Sequence, residues 1–355
     1  MTSVEVASAR ELIRADLEPL LERDEPLWRG LRGARVFVTG GTGFVGKWLL
    51  ESLIHANERL GLGMRAVVLT RNPQAFGAAN PRLYAAQEIE WVRGDVRDFV
   101  VPAGSFTHAI HAATDVLADA KPVDTFGVIV KGTDCVLDFC EERGIGDLLI
   151  VSSGAVYGRQ PPDLERVNEL FEGAPSTLDP NTAYGQGKRA SEWLAVARGT
   201  GRGPSVRIVR LFAFVGPYLP MDRHLAIGNF LADRLAGRAI EVKGDGTAVR
   251  SYLYAADLAR WLWTILLRGA RGEAYNVGSE QAIGMAALAR RIAMARGDRA
   301  VSVRIEGTPV PGKLPARYVP STRKARETLG LEAAVSLDDA ISRTLAWAHA
   351  ALSDT

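Results

Sequence analysis

The chain reads as an α/β protein, a doubly wound parallel sheet carrying a smaller C-terminal lobe. Three observations predict it. A short apolar strand, Arg35-Val36-Phe37-Val38-Thr39, runs into a glycine-rich turn and then an apolar helical stretch reaching Ile54. Further short apolar strands alternate with helical patterns such as Val130 to Cys140 and Ala190 to Ala197, which is the signature of parallel strands joined by crossover helices. A late strand, Leu148 to Val151, delivers polar and small residues, Ser152 to Gly158, at its carboxyl end, where open α/β sheets place their ligands.

Residues 1–33 precede the first strand. Leu12, Ile13, Leu17, Leu20 and Leu21 make an apolar helical stripe that Pro19 is expected to kink. Such a stripe must pack, either on its own domain or on another subunit. The strand at 35–39 then feeds Gly40-Gly41-Thr42-Gly43-Phe44-Val45-Gly46, the strand–turn–helix order of a dinucleotide site. Glycine at 40 permits the tight turn, glycine at 43 lets backbone approach a pyrophosphate, and glycine at 46 allows the helix to pack closely on the sheet. The amides at that helix start face the phosphates.

The second strand, Ala66 to Leu69, ends in Thr70-Arg71-Asn72-Pro73, with no acid to hold the adenosine ribose hydroxyls. Arg71 can stack on adenine or meet a 2′-phosphate, so the cofactor is NAD or NADP; the alternative is an arginine on a solvated loop. Trp91 to Asp98 reads as strand and turn, with Asp95 placed to accept from the adenine amine or to form the turn. His108 to Thr114 is another apolar strand whose small end, Ala112-Ala113-Thr114, lets a nicotinamide nucleotide lie against backbone. His111 in that strand reads as a satisfied core residue. Residues 34–212, with a return segment 250–277, are expected to form the dinucleotide-binding domain. Residues 213–249 and 278–350 are expected to form the substrate lobe, with the site in the cleft between the two.

Tyr184-Gly185-Gln186-Gly187-Lys188 sets a phenol and an ammonium four residues apart, on one face of a helix. A phenol with a reference pKa of about 10 is protonated at neutral pH, and a neighbouring cation favours its phenolate, which is a route to a tyrosine base.

Taken together, Thr39 to Gly46, Gly94-Asp95-Val96, His111-Ala112-Ala113, Ser152 to Gly158, Tyr184 to Lys188, Arg210 to Pro217, Gly244 to Asp257 and Tyr275 to Ser279 resemble the extended short-chain dehydrogenase/reductase superfamily, specifically its NAD(P)-dependent nucleotide-sugar epimerases and dehydratases. The resemblance covers about residues 34–330 and implies a Rossmann-type sheet. It implies that Tyr184 is the acid or base at a sugar hydroxyl, Lys188 its electrostatic partner and a ribose binder, and Ser153 a second partner of that hydroxyl. It also implies that Gly40, Gly43, Phe44, Val45, Gly46, Arg71, Asp95, Val96, Ala112, Ala113 and Thr114 hold the cofactor, which is retained between turnovers.

Where the superfamily eliminates water it usually places Asp-Glu or another acid just after the active-site serine or threonine; here Gly154-Ala155 stands there. Neither side chain transfers a proton, which also weakens a decarboxylase reading. An epimerase or a ketoreductase needs only the serine, tyrosine, lysine and cofactor. Apolar residues near Ile129 and at Ala213 replace expected asparagines. Arg250 and Arg317 suit a diphosphate through planar guanidinium contacts, and Asn229 faces the nucleotide sugar. The expected activity is 4-epimerisation of a nucleoside-diphosphate sugar; the alternatives are NAD(P)H-dependent reduction of a 4-keto sugar and, after it, 4,6-dehydration of a sugar nucleotide. A non-catalytic dinucleotide sensor is the alternative of another class, and an intact Tyr/Lys pair argues against it.

A net charge of +2 without a basic run argues against nucleic acid. The most apolar stretch, Leu253 to Leu267, is broken by Asp257 and Arg260 and is shorter than the roughly 20 residues a membrane span needs. Cys135 and Cys140 are spaced for neither zinc nor a redox pair and read as buried thiols, so no metal is expected. The expected setting is cytoplasmic, as a homodimer.

Overall fold

The computed structural model describes residues 7–114, 121–200, 203–222, 225–295 and 300–353. Its main sheet holds β1 (Arg35–Thr39), β2 (Arg65–Thr70), β3 (Ile89–Arg93), β4 (His108–His111), β5 (Asp147–Ser153), β6 (Ser205–Leu211) and, in chain order, β11 (Ala274–Val277). The strands lie in the order β11-β6-β5-β4-β1-β2-β3, every neighbouring pair parallel. From β1 the chain winds outward to β2 and β3, then returns to lay β4 on the other flank. The crevice this reversal opens lies beyond Thr39 and His111, which pair in register.

Both faces of the sheet are covered, so its strands read as continuous apolar runs. Val36 and Val38 point into a core shared with α3 (Phe44–Leu60) and, later in the chain, α9 (Ala255–Arg268). Phe37, between them, points the other way, against Phe139 of α6 (Pro122–Arg143) and a core that includes Ala195 of α7 (Ala183–Arg198). Two buried indoles reach partners with their N–H groups: Trp48 donates to the Pro217 carbonyl and Trp263 to the Ser52 hydroxyl, each at 2.9 Å. Two short helices, α4 (Pro73–Ala79) and α5 (Pro81–Tyr84), connect β2 to β3.

The apolar stripe near the start of the chain forms α1 (Ala9–Arg23), opened by a capping box between Ser8 and Glu11 and continuing through Pro19. It docks on its own chain, with Ile13, Leu17 and Leu20 in a core shared with α12 (Leu337–Ser353). Asp16 on its inner face accepts from the Tyr254 hydroxyl and from Arg343 at 2.6 Å. The following α2 (Glu25–Arg29) is tied through Asp24 to Arg260 of α9.

Short elements build the second layer. β7 (Phe214–Val215) pairs with β10 (Leu253–Tyr254), β8 (Ile240–Val242) with β13 (Val303–Ile305), and β9 (Val249–Arg250) lies between β12 (Ile283–Gly284) and β14 (Arg317–Tyr318). Ile227 and Phe230 of α8 (Ala226–Leu235) meet Leu288 and Ile292 of α10 (Met285–Ala293) in their shared core, and α11 (Arg323–Leu329) leads back to β11. Among the described residues no helix is long and apolar enough to cross a membrane, and no cluster of His, Cys, Asp or Glu is arranged to hold a metal. Cys140 is buried, but Cys135 is partly exposed, its thiol donating to the Arg97 carbonyl, because it sits on the outward turn of α6.

Candidate active site

The glycine turn is pressed against the end of β4. Gly40 has φ +74°, and a Cβ there would lie 2.5 Å from the Ala112 carbonyl and 2.6 Å from the Ala113 nitrogen. A Cβ on Gly46 would lie 2.4 Å from the Gly40 oxygen, so α3 packs on the turn only with glycine at that position. The N-cap of α3 is Gly43, which has no side chain to cap it, and the first amides face a cleft of about 690 Å³. Gly40, Gly43, Phe44, Val45, Arg71, Asp95, Val96, Ala112, Ala113, Thr114 and Tyr184 all line it. Uncapped amides, an absence of side chains where a pyrophosphate would approach, and a polar far end fit a dinucleotide. At that far end Asp95 is gripped by Arg97 through two contacts of 2.8 and 2.9 Å, which hold its carboxyl below the usual range.

Tyr184 opens α7 at the floor of this cleft. One turn on, Lys188 is buried and donates from Nζ to the Val151 carbonyl at 2.7 Å; its Nζ is 5.9 Å from the centre of the Tyr184 ring. Burial lowers the Lys188 ammonium to about 8, with Glu192 one turn further resisting that fall. Burial raises the phenol, and the group that counteracts it is the Ser153 hydroxyl. Lys188 is turned toward the sheet, where the Val151 carbonyl accepts its hydrogen bond.

Ser153 ends β5 and caps the 3₁₀ turn Gly154–Tyr157, accepting from the Ala155 amide at 3.1 Å. Behind it lies a buried polar network: Ser152 donates to Glu192, Glu192 pairs with Arg210 at 2.7 Å, and Arg210 donates to the Tyr157 hydroxyl at 2.9 Å. Tyr157 donates in turn to the side-chain oxygen of Asn276 at 2.8 Å, and the Asn276 backbone N–H donates to the Glu169 carboxylate at 2.8 Å. Every member is partnered, so the network fixes the end of β5. His111 is likewise buried with Nδ1 2.8 Å from Thr39 and Nε2 3.2 Å from Thr133, and it stays neutral because burial and Lys188 push it to about 3.

A larger cleft of about 1480 Å³ adjoins the first, sharing Phe44 and Leu225 with it. Asn229 and Arg250 line it as expected; Arg317 does not, and its neighbour Tyr318 does. On two residues of β14 alternate side chains point to opposite sides, so the strand that brings Tyr318 in turns Arg317 away. Tyr318 packs on Phe212 with ring centres 4.7 Å apart and the rings tilted by 35°, and burial raises its phenol. Sequence reasoning singled out the arginine and passed over the tyrosine; the available signal was the bare Gly154, which leaves space that something else fills.

The sequence matches the model of the NAD dependent epimerase/dehydratase family over residues 36–278. It is 28% identical over 319 residues to UDP-glucuronic acid decarboxylase 1 of Arabidopsis thaliana, covering 90% of this chain and 70% of that one. Among solved structures, the dTDP-glucose 4,6-dehydratase of Streptomyces venezuelae, solved with NAD bound, superposes with a TM-score of 0.74 at 26% identity, covering 89% of this chain and 97% of that one. The UDP-glucose 4-epimerase of Thermotoga maritima superposes with a TM-score of 0.73 at 19% identity, covering 90% and 99%. With the glycine turn, the Tyr184–Lys188 pair and a matching region that spans most of the chain, this protein belongs to the NAD dependent epimerase/dehydratase family.

Proposed function

We propose that the chain converts a nucleoside-diphosphate hexose through a 4-keto intermediate and that its reaction is 4-epimerisation. The observation that carries this reading is the end of β5. Ser153 and Tyr184 meet there, while Gly154 and Ala155 leave no carboxyl beside them. Of the acids that precede Tyr184, Glu169 is tied to Asn276, and Glu165 and Glu172 are exposed.

In this mechanism Tyr184 accepts the proton of the sugar O4 and Ser153 orients that oxygen. The residues of the smaller cleft would hold NAD(P)⁺, which when bound would supply the hydride acceptor for C4. Tyr184 then returns its proton to O4 after the keto sugar has presented its other face. General acid–base help of this kind contributes about 10²- to 10⁴-fold. Arg250 and Asn229 meet the nucleotide and diphosphate from the larger cleft. Arg71 on the cofactor wall, near enough to Asp95 to act on its carboxyl, suits a 2′-phosphate and hence NADP; stacking on adenine would serve NAD equally. Exposed Val123 and Phe126 on α6 and Trp193 and Val196 on α7 give a homodimer an apolar face. The proposed setting is the cytoplasm.

A second reading is decarboxylation of a nucleoside-diphosphate uronate, which the similarity to the Arabidopsis enzyme favours. Oxidation at C4 makes such a sugar a β-keto acid, and CO₂ then leaves without an acid at position 154. Incubation with a panel of nucleoside-diphosphate hexoses and uronates, with NAD or NADPH added, separates the readings by product mass. An isomer of unchanged mass without cofactor consumption supports epimerisation. Loss of CO₂, loss of water or net NADPH oxidation would each replace it.

A further inference from the structure

His111 ends β4, buried, with a hydroxyl against each of its ring nitrogens. Nδ1 lies 2.8 Å from the Thr39 hydroxyl at the end of β1, and Nε2 lies 3.2 Å from the Thr133 hydroxyl of α6. A neutral imidazole carries one proton, so one nitrogen gives and the other takes. The neighbours decide which. Thr133 has a single proton and three partners: the Ile129 carbonyl at 2.8 Å, the Ser191 hydroxyl at 2.7 Å and His111. The carbonyl can only accept, and Ser191 reaches it at a longer 3.4 Å, so the Thr133 proton goes to Ile129. Its two lone pairs then receive from Ser191 and from Nε2–H. Nδ1 is left bare and takes the Thr39 proton, while Thr39 accepts the Ala113 amide at 3.2 Å. Each proton in this chain has an acceptor.

We propose that Thr133 holds His111 as its Nε2–H tautomer and that His111, through Thr39, positions the Ala112-to-Thr114 wall of the cofactor cleft against α6 and α7. Thr39, Ala113 and Thr114 line that cleft, whereas His111, Thr133 and Ser191 stand behind it. His111 is therefore a positioning residue, acting through the Thr39 hydroxyl and the Ala113 amide. Ser191 lies one turn beyond Lys188 on α7, so the same hydrogen bonds join the cofactor wall to the helix that carries Tyr184. His111 has this role whichever reaction the cleft serves.

The other tautomer would leave two protons misplaced. Nδ1–H would face Thr39, whose own proton would lose its acceptor in the chain, and a bare Nε2 would face Thr133, whose proton is committed to Ile129. Unmade hydrogen bonds at buried groups carry the full desolvation penalty, so the arrangement is one-sided. The anchor of the chain is itself held in place: a Cβ on Gly187 would lie 3.2 Å from the Ile129 side chain, so α7 presses on α6 at that turn. An imidazole suits the position because it offers one donor and one acceptor in opposed directions while uncharged. Burial and the nearby Lys188 ammonium keep it uncharged.

In protein labelled with ¹⁵N-histidine, a proton-bearing ring nitrogen and a bare one resonate far apart, so the tautomer is read directly. The His111 signals are assigned by difference against His111→Gln or, should that variant not fold, against single variants of the other histidines. At neutral pH the wild-type ring is expected to carry its proton on Nε2, with Nδ1 bare, both with and without NAD⁺. Thr133→Val removes the hydroxyl and keeps the shape. There the Nε2 proton is expected to move to Nδ1 in part of the population, and NAD⁺ binding, followed by fluorescence, to weaken about 5- to 10-fold, as loss of one hydrogen bond does. Thr133→Ser, which keeps the hydroxyl, is expected to behave as wild type in both respects. A wild-type proton on Nδ1, a charged ring, or a Thr133→Val protein that keeps its Nε2 proton overturns the tautomer. Unchanged NAD⁺ affinity once the tautomer has shifted, or a Thr133→Ser protein as impaired as Thr133→Val, overturns the positioning role. Tyr184 as the base is tested separately, by turnover of Tyr184→Phe, and survives any of these results.

Discussion

Glycine shapes both ends of the cleft, for opposite reasons. At Gly40 and Gly46 the missing side chains let backbone approach backbone, so that the uncapped start of α3 is bare for a ligand. At Gly154 the missing side chain makes room for the protein's own Tyr318 and Phe212, brought from elsewhere in the chain. The cofactor end is therefore made from consecutive residues and leaves little freedom to vary. The substrate end is made by convergence, and it is there that this chain departs from its family's usual acid. In the proposed reaction the turn would hold the cofactor, and the fate of the keto sugar would depend on what fills the space next to Ser153.

That comparison can be broken first at the turn. Gly40→Ala would impose a side chain on a left-handed backbone and push it into Ala112, costing about 3 kcal/mol or more and abolishing dinucleotide binding. Thermal unfolding together with NAD titration by fluorescence checks both, and a variant that binds NAD normally would mean the turn is not the cradle.

A smaller effect is expected just beneath. His111 is held near 3 against an unfolded value of about 6.5, so the folded state binds fewer protons between those values, and stability present above pH 6.5 is lost as pH falls. Between pH 6.5 and 4.5 this group alone should remove about 2–3 kcal/mol. Urea unfolding across that range should show a shallower dependence in His111→Gln than in wild type; identical slopes would mean that His111 ionises in place.

The smallest expected change sharpens the substrate end. Lys188 at about 8 should give kcat/KM an alkaline limb near that pH, since the neutral amine no longer favours a phenolate. Glu192 opposes the fall, so Glu192→Gln should move the limb downward by about one unit, alongside a loss of stability from the unpaired Arg210. A limb that stays in place would assign it to another group.

Legibility in the sequence followed the same division. The run from Arg35 to Gly46 was readable because strand, turn and helix start are adjacent and each glycine has a local reason. The wall residues Ala112 to Thr114 were readable because a strand end in small residues is also a local pattern. Tyr184 and Lys188 were legible as a pair through helical spacing, but the direction in which Lys188 points depends on the Val151 carbonyl of a different strand. Strands of two residues, such as Val249–Arg250 and Arg317–Tyr318, are too short to show a period. For that reason the choice between Arg317 and Tyr318 could not be made before their neighbours were placed. The absent acid at Gly154 was visible, while its occupant was not.

The central claim is that Tyr184 takes the proton from a nucleotide sugar's C4 hydroxyl. The most direct measurement is turnover of a nucleoside-diphosphate hexose by wild type and by Tyr184→Phe, with equal NAD binding as the control for folding. The account predicts a loss of about 10²- to 10⁴-fold in kcat with NAD binding unchanged; equal turnover by the two proteins would contradict it.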